Sequence, residues 1–323
     1  MSKLLNGIYR VISSYALAIV LFVLLFFLIL FGTLYQVDNG LYLAQKKYFE
    51  SIYVIHQMGP IAIPLPGGYT LLALFGVALI GGMLRVRKAW NRAGILIAHA
   101  GVLVMLISSG ITFHFSDRGH MRLFPKEESN EYQSYHDWNI EIGKPAAGAK
   151  LHLIPDKQFK DLSGDKTRTF ESAELPFDVT VSRFTPNGVP VPPNAPIGGD
   201  APVVDGYRMA SLPPEKEAEI NTPGVYVSVK DKETGETTDG ILWGLDIEPL
   251  TVQSGDVYYT IGLNRKRYAV PFVLHLDEFI ADFHPGTNMA SAYEAYTNRI
   301  ANNKISIRFI YTMCLPRSSI IRV

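Results

Sequence analysis

The sequence predicts a membrane protein in two parts: three N-terminal transmembrane α-helices, then an extracytoplasmic, mainly-β, sandwich-like domain. Three observations carry this. Apolar residues crowd the first third of the 323-residue chain. Three runs there, at about 13–35, 68–85 and 93–113, are long enough to cross a bilayer. Beyond Phe115 no such run recurs, while short segments alternate apolar and polar residues with a period of two. The expected division is a membrane domain at 1–113 and an extracytoplasmic β-rich domain at 114–323.

The first run, Tyr15 to Tyr35, follows Lys3 and Arg10 and contains no charge. A cleaved signal peptide has a shorter apolar core and a small-residue cleavage site, which Gly32-Thr33-Leu34-Tyr35 does not supply, so the helix reads as a retained anchor. Residues 36–66 are mixed and read as a loop outside the bilayer. Its YLAQKKYFESIYVI portion is spaced to lie flat at the interface, until Pro60, Pro64 and Pro66 break it. His56 in this loop reads as a satisfied interfacial histidine.

The second run, Tyr69 to Leu84, has Gly76, Gly81 and Gly82 to admit close helix packing. Arg85, Arg87, Lys88 and Arg92 then crowd the connection to the third run. The positive-inside rule places that connection in the cytoplasm with Lys3 and Arg10, which puts 36–66 and everything after Phe113 outside.

Ala93 to Phe113 is the stretch around which the chain is organised, because it carries His99 well inside an otherwise apolar span. An imidazole at that depth bonds a neighbouring helix, lines a hydrated cavity or ligates a metal, and such a group is a functional candidate. His99 lies about 9 Å from the cytoplasmic end. His114 follows roughly 22 Å further along and about 60° round the helix, where it reads as a snorkelling interfacial residue or, less simply, as a second ligand. Gly94, Ala98, Gly101 and Ser108 form a small-residue seam beside His99, suited to a closely packed partner helix.

Lys plus Arg and Asp plus Glu number 30 each, so no charge excess points to nucleic acid. The one cysteine, Cys314, excludes an internal disulfide and a CxxC redox motif. In the second domain FDVTVSRF, VYVSVKD, VYYTIGL and FVLHLDEF read as strands, with a hairpin turn at Lys232-Glu233-Thr234-Gly235 and a proline-rich loop after Phe184. Its histidines, His120, His136, His152, His275 and His284, lack metal-site spacing and read as surface or structural. No nucleophile elbow or phosphate loop appears.

Gly32-Thr33 closing the first helix, the passage HAGVLVMLISSGITFHFSDRGHMRLFPKEE and FVLHLDEFIADFHPGT, in this order of elements, resemble the ResB family (also called CcsB) of system II cytochrome c biogenesis. The resemblance implies a multi-pass protein of the bacterial inner (cytoplasmic) membrane. It implies a subunit of a haem export and cytochrome c synthetase complex, acting with a cytochrome c assembly protein that bears a tryptophan-rich haem-handling motif, and delivering haem to apocytochrome c. On it, His99 is an axial ligand to haem iron, in a b-type haem that is the transported substrate. Trp90, Trp138 and Trp243 are not clustered, so the tryptophan-rich surface belongs to the partner and the chain is a non-autonomous part of the haem lyase. The family's usual fourth membrane helix is not found in NKISIRFIYTMCLPRSSIIRV, and the expectation is a β domain incomplete at its C-terminus. Two other readings stay open: a membrane-anchored extracytoplasmic binding or sensory module without haem, and half of a transporter with His99 in a proton path.

Overall fold

The computed structural model describes residues 3–86, 93–146, 149–197, 199–246, 248–301 and 304–313. Cys314 and the cations Arg87, Lys88 and Arg92 lie outside the described residues. The chain forms two compact units, 1–116 with 214–220, and 117–213 with 221–323.

The first unit opens with α1 (Lys3–Ile12) and α2 (Tyr15–Ala44). The break between them is set by Ser14, an N-cap whose hydroxyl accepts the Leu17 N–H at 3.1 Å. The helix was expected to end at residue 35, where the apolar run ends. It continues to Ala44 through a kink at Gly40 (φ 80°) and into a π-helical turn, Gln45–Phe49. Polar Gln36, Asp38 and Asn39 stop a hydrophobic run without breaking backbone hydrogen bonding, and Asn39 caps the Tyr35 carbonyl at 3.0 Å.

The remainder of the expected loop is a hairpin, β1 (Tyr53–Met58) against β2 (Ile61–Pro66), turned by Gly59 (φ 62°) and Pro60. α3 (Gly68–Val86) and α4 (Ala93–Phe115) follow. The end of α3 meets the start of α2, where the Arg85 guanidinium donates to the Ser13 carbonyl at 3.0 Å. Among the described residues three helices are long and apolar enough to cross a membrane: Tyr15–Phe49, Gly68–Arg85 and Ala93–Phe115. Leu21, Leu28, Tyr48, Val54, Leu65 and Leu71 make this unit's buried cluster.

The second unit is mainly β. One sheet has the order β11 (Thr237–Trp243), β10 (Gly224–Asp231), β7 (Phe177–Thr185), β6 (Thr167–Phe170). The other runs β15 (Lys304–Met313), β14 (Ala290–Ala301), β13 (Val257–Phe283), β4 (Glu128–Gly143), β3 (Gly119–His120), with β12 (Leu250–Ser254) on β13 and β5 (His152–Pro155) on β4. A separate hairpin pairs β8 (Gly188–Val191), inside the expected proline-rich loop, with β9 (Arg208–Ser211) beyond its end.

Alternation turns Phe177, Val179, Val181 and Val225, Val227, Val229 of the first sheet inward, and they share one core with Ile140, Ile142, Ile261 and Leu263 of the second. VYYTIGL and FVLHLDEF, expected as two strands, are parts of β13. Pro271 between them falls where the β13–β4 register shifts, from Ala269↔Glu131 to Leu274↔Ser129, so its missing N–H interrupts no ladder bond to β4. Within the passage HAGVLVMLISSGITFHFSDRGHMRLFPKEE, helix α4 gives way to the two-residue strand β3 at Gly119 and His120.

Candidate functional site

His99 sits in the second turn of α4, half exposed. Its Nδ1 lies 2.9 Å from the Ile95 carbonyl, four residues back. A carbonyl only accepts, so Nδ1 carries a proton, and in the neutral ring the lone pair is then on Nε2. This is the arrangement of a ligating histidine, whose second ring nitrogen donates to a fixed acceptor while the first is free to bind.

The surroundings are apolar and open. No residue of α4 is buried within the chain, and Ile97 and Met105 are 73% and 70% exposed. At the two glycines of the expected small-residue seam, Gly94 and Gly101, a Cβ atom would meet nothing within 4 Å among the described residues, while α3 approaches α4 elsewhere, with Gly76 beside the Leu106 side chain.

His114, near the other end of α4, is exposed and lies parallel to the Tyr69 ring, 6.1 Å away at 20°. Phe113 meets it edge-on at 5.5 Å. The fold thus keeps His99 and His114 apart along one helix, and His114 sits among aromatics.

A second histidine centre, which sequence spacing did not mark, lies at the hairpin. The Tyr48 hydroxyl and His56 Nδ1 are 2.5 Å apart, and Tyr48 is fully buried. Phe31 stacks on the His56 ring at 4.2 Å and 11°. Lys47 Nζ lies 4.2 Å from the Tyr35 ring centroid and 5.6 Å from that of Tyr48. Burial and the Lys47 charge hold His56 below the usual histidine range, so it is neutral at pH 7. Gly32, one of the residues of the family resemblance, lies close by: a Cβ there would stand 3.1 Å from the Phe49 ring, which would have to shift by a few tenths of an ångström.

In the second unit His120 is 5% exposed, and neither ring nitrogen has a hydrogen-bond partner among the described residues. It stacks on Tyr135 at 5.2 Å, whose hydroxyl is likewise buried and unpaired. Burial, then Arg265 and Arg122, lower its pKa. Two nearby cations oppose a metal cation there. His152 lies 3.6 Å from Glu174, and His275 lies 3.1 Å from Asp277. No group of three or more His, Cys, Asp or Glu side chains that could hold a metal occurs among the described residues.

The cleft bounded by Leu242, Trp243, Asp246, Leu250 and Asn264 has a volume of about 250 Å³. It falls below the range of roughly 300–1,000 Å³ typical of ligand sites. No protein-family model and no curated protein matches the chain.

Proposed function

We propose that the protein is a haem-handling membrane subunit of the ResB kind. It passes haem across the bacterial cytoplasmic membrane, with its β-rich unit on the outer side, to a cytochrome c assembly protein that completes attachment to apocytochrome c. The observation that carries the reading is the geometry of His99: an imidazole on an apolar helix, with Nδ1 committed to the Ile95 carbonyl and Nε2 making no hydrogen bond among the described residues. Haem iron takes such a nitrogen, and an apolar helix face suits the macrocycle. The residues present fit one axial ligand, and a second comes from elsewhere. Lys3, Arg10 and Arg85 flanking the spans support a cytoplasmic amino terminus.

The test is His99→Ala co-expressed with the assembly protein. Membrane-associated b-type haem and cytochrome c yield should both fall, and added imidazole should restore part of each by occupying the space of the lost ring. Equivalent changes at His136 or His152 should leave haem unchanged. Normal haem in a destabilised His99→Ala protein would make His99 a packing residue and favour a membrane-anchored binding module.

A further inference from the structure

We infer that His56 is a second haem-iron ligand, with an apolar shelf of Met58 and Ile61 for the macrocycle and Lys47 for a propionate. The inference rests on the haem reading of His99 and extends it to the hairpin of the same unit.

Two contacts from separate elements fix the imidazole. Tyr48 reaches Nδ1 from the π-helical turn, and Phe31 of α2 lies flat against the ring. π-Turns inside helices are frequent at functional positions, and here the turn delivers a fully buried tyrosine to a half-exposed histidine. Nδ1 is engaged and Nε2 makes no hydrogen bond among the described residues, so the ring is oriented from behind in the manner of a ligand. Its neutrality agrees with this, because iron takes the deprotonated nitrogen.

Strand alternation supplies the shelf. The pairs Val54↔Leu65, His56↔Ile63 and Met58↔Ile61 share one face of the hairpin. At its base Val54 and Leu65 are 4% and 9% exposed, while at its tip Met58 and Ile61 are 52% and 57% exposed. The imidazole therefore stands at the border between packed core and bare apolar surface. Lys47, placed over Tyr35 and Tyr48, brings a cation to the ring that holds His56. A coordinating nitrogen, an apolar plane and a cation match iron, porphyrin and carboxylate. A histidine that served packing alone would need neither the exposed shelf nor an uncommitted nitrogen.

The experiment titrates the purified full chain, without partner, with ferric haem, and reads equivalents bound and the Soret shift that marks imidazole ligation. The wild type should take two equivalents, His56→Ala and His99→Ala one each, and the double variant none. Tyr48→Phe, which removes only the positioning hydroxyl, should keep both equivalents and weaken the His56-dependent one by about 10- to 100-fold. His56→Gln, able to keep the bond to Tyr48 but unable to ligate iron, guards against a folding effect and should behave as His56→Ala. If His56→Ala and His56→Gln bind as wild type while His99→Ala loses its haem, the inference falls and the His99 reading stands. If all variants bind alike, both fall.

Discussion

Replacing His120 by phenylalanine should stabilise the β-rich unit, although it removes a polar group from a buried position. His120 holds two ring nitrogens out of water with no partner among the described residues. A buried donor or acceptor left unsatisfied costs about 1–3 kcal/mol. Phenylalanine has the same planar shape, keeps the stack on Tyr135 and carries nothing to satisfy, so His120→Phe should gain about 1–3 kcal/mol at pH 7. The gain should grow in acid. The folded-state pKa of His120 lies below its unfolded value of about 6.5, so the wild type has its full stability above that pH and loses it as pH falls toward the folded value. Protonation would set an imidazolium against Arg122 of its own segment and Arg265 of β13, beside the Tyr135 ring of β4, whereas the variant has no such proton to take up. Thermal melting of the full chain, followed by tryptophan fluorescence at pH 7.5 and pH 5.5, measures both effects; each kcal/mol corresponds to about 2–4 °C for a unit of this size. A variant less stable than wild type at pH 7.5 would mean that the ring nitrogens have a bonding partner in the folded protein, and the accounting above would be wrong.

Two further changes test the same unit. Lys126 adopts φ 73° in the turn where the Glu127 N–H donates to the Phe124 carbonyl at 2.9 Å, so Lys126→Gly should raise stability by about 1 kcal/mol, read as a higher melting temperature; a fall would show that the lysine side chain holds the turn. Asp231 accepts from Ser254 Oγ and from the Thr234 and Glu233 N–H groups, which holds its pKa at about 2, so its contribution is present above about pH 4 and is lost as pH falls toward 2. Asp231→Asn should flatten that acid limb in a pH series of melts, and an unchanged limb would assign the acid sensitivity to other carboxylates.

The helices were legible because a span of apolar residues is a length measurement: 93–113 was expected and Ala93–Phe115 is found. What composition missed was local geometry. YVIHQM alternates weakly, and the prolines of IAIPLP suggested a break, yet Gly59-Pro60 is a two-residue hairpin connection, so the two segments pair from Tyr53↔Pro66 to Met58↔Ile61. The Tyr48–His56 bond could not be read from spacing, since it joins a π-helical turn to a strand eight residues on. His120 was expected at the surface or in a structural role, and its burial follows from a two-residue strand at the sheet edge that pairs His120 with Gln133, a contact 13 positions away that no local pattern announces. The core strands FDVTVSRF and VYVSVKD were plain because each buries alternate β-branched or aromatic residues against the opposite sheet.

The openness of α4 bears most directly on what His99 does. A helix that is apolar on every side and buries no residue within its own chain needs cover from lipid or from another protein. Lipid alone would leave Nε2 unsatisfied, at about 1–3 kcal/mol. Because Nδ1–H is already spent on the Ile95 carbonyl, what the neutral ring has left is a lone pair, and only a hydrogen-bond donor or a Lewis acid can satisfy it. A packing helix would have to bring a polar N–H or O–H into hydrocarbon for the purpose, whereas an iron brings an empty coordination position and its own apolar plane. The two covers separate under truncation. In His99→Ala a donor on a neighbouring helix gains little from free imidazole, which water can replace only where water reaches, while an iron that has lost its ligand binds imidazole strongly enough to restore the spectrum.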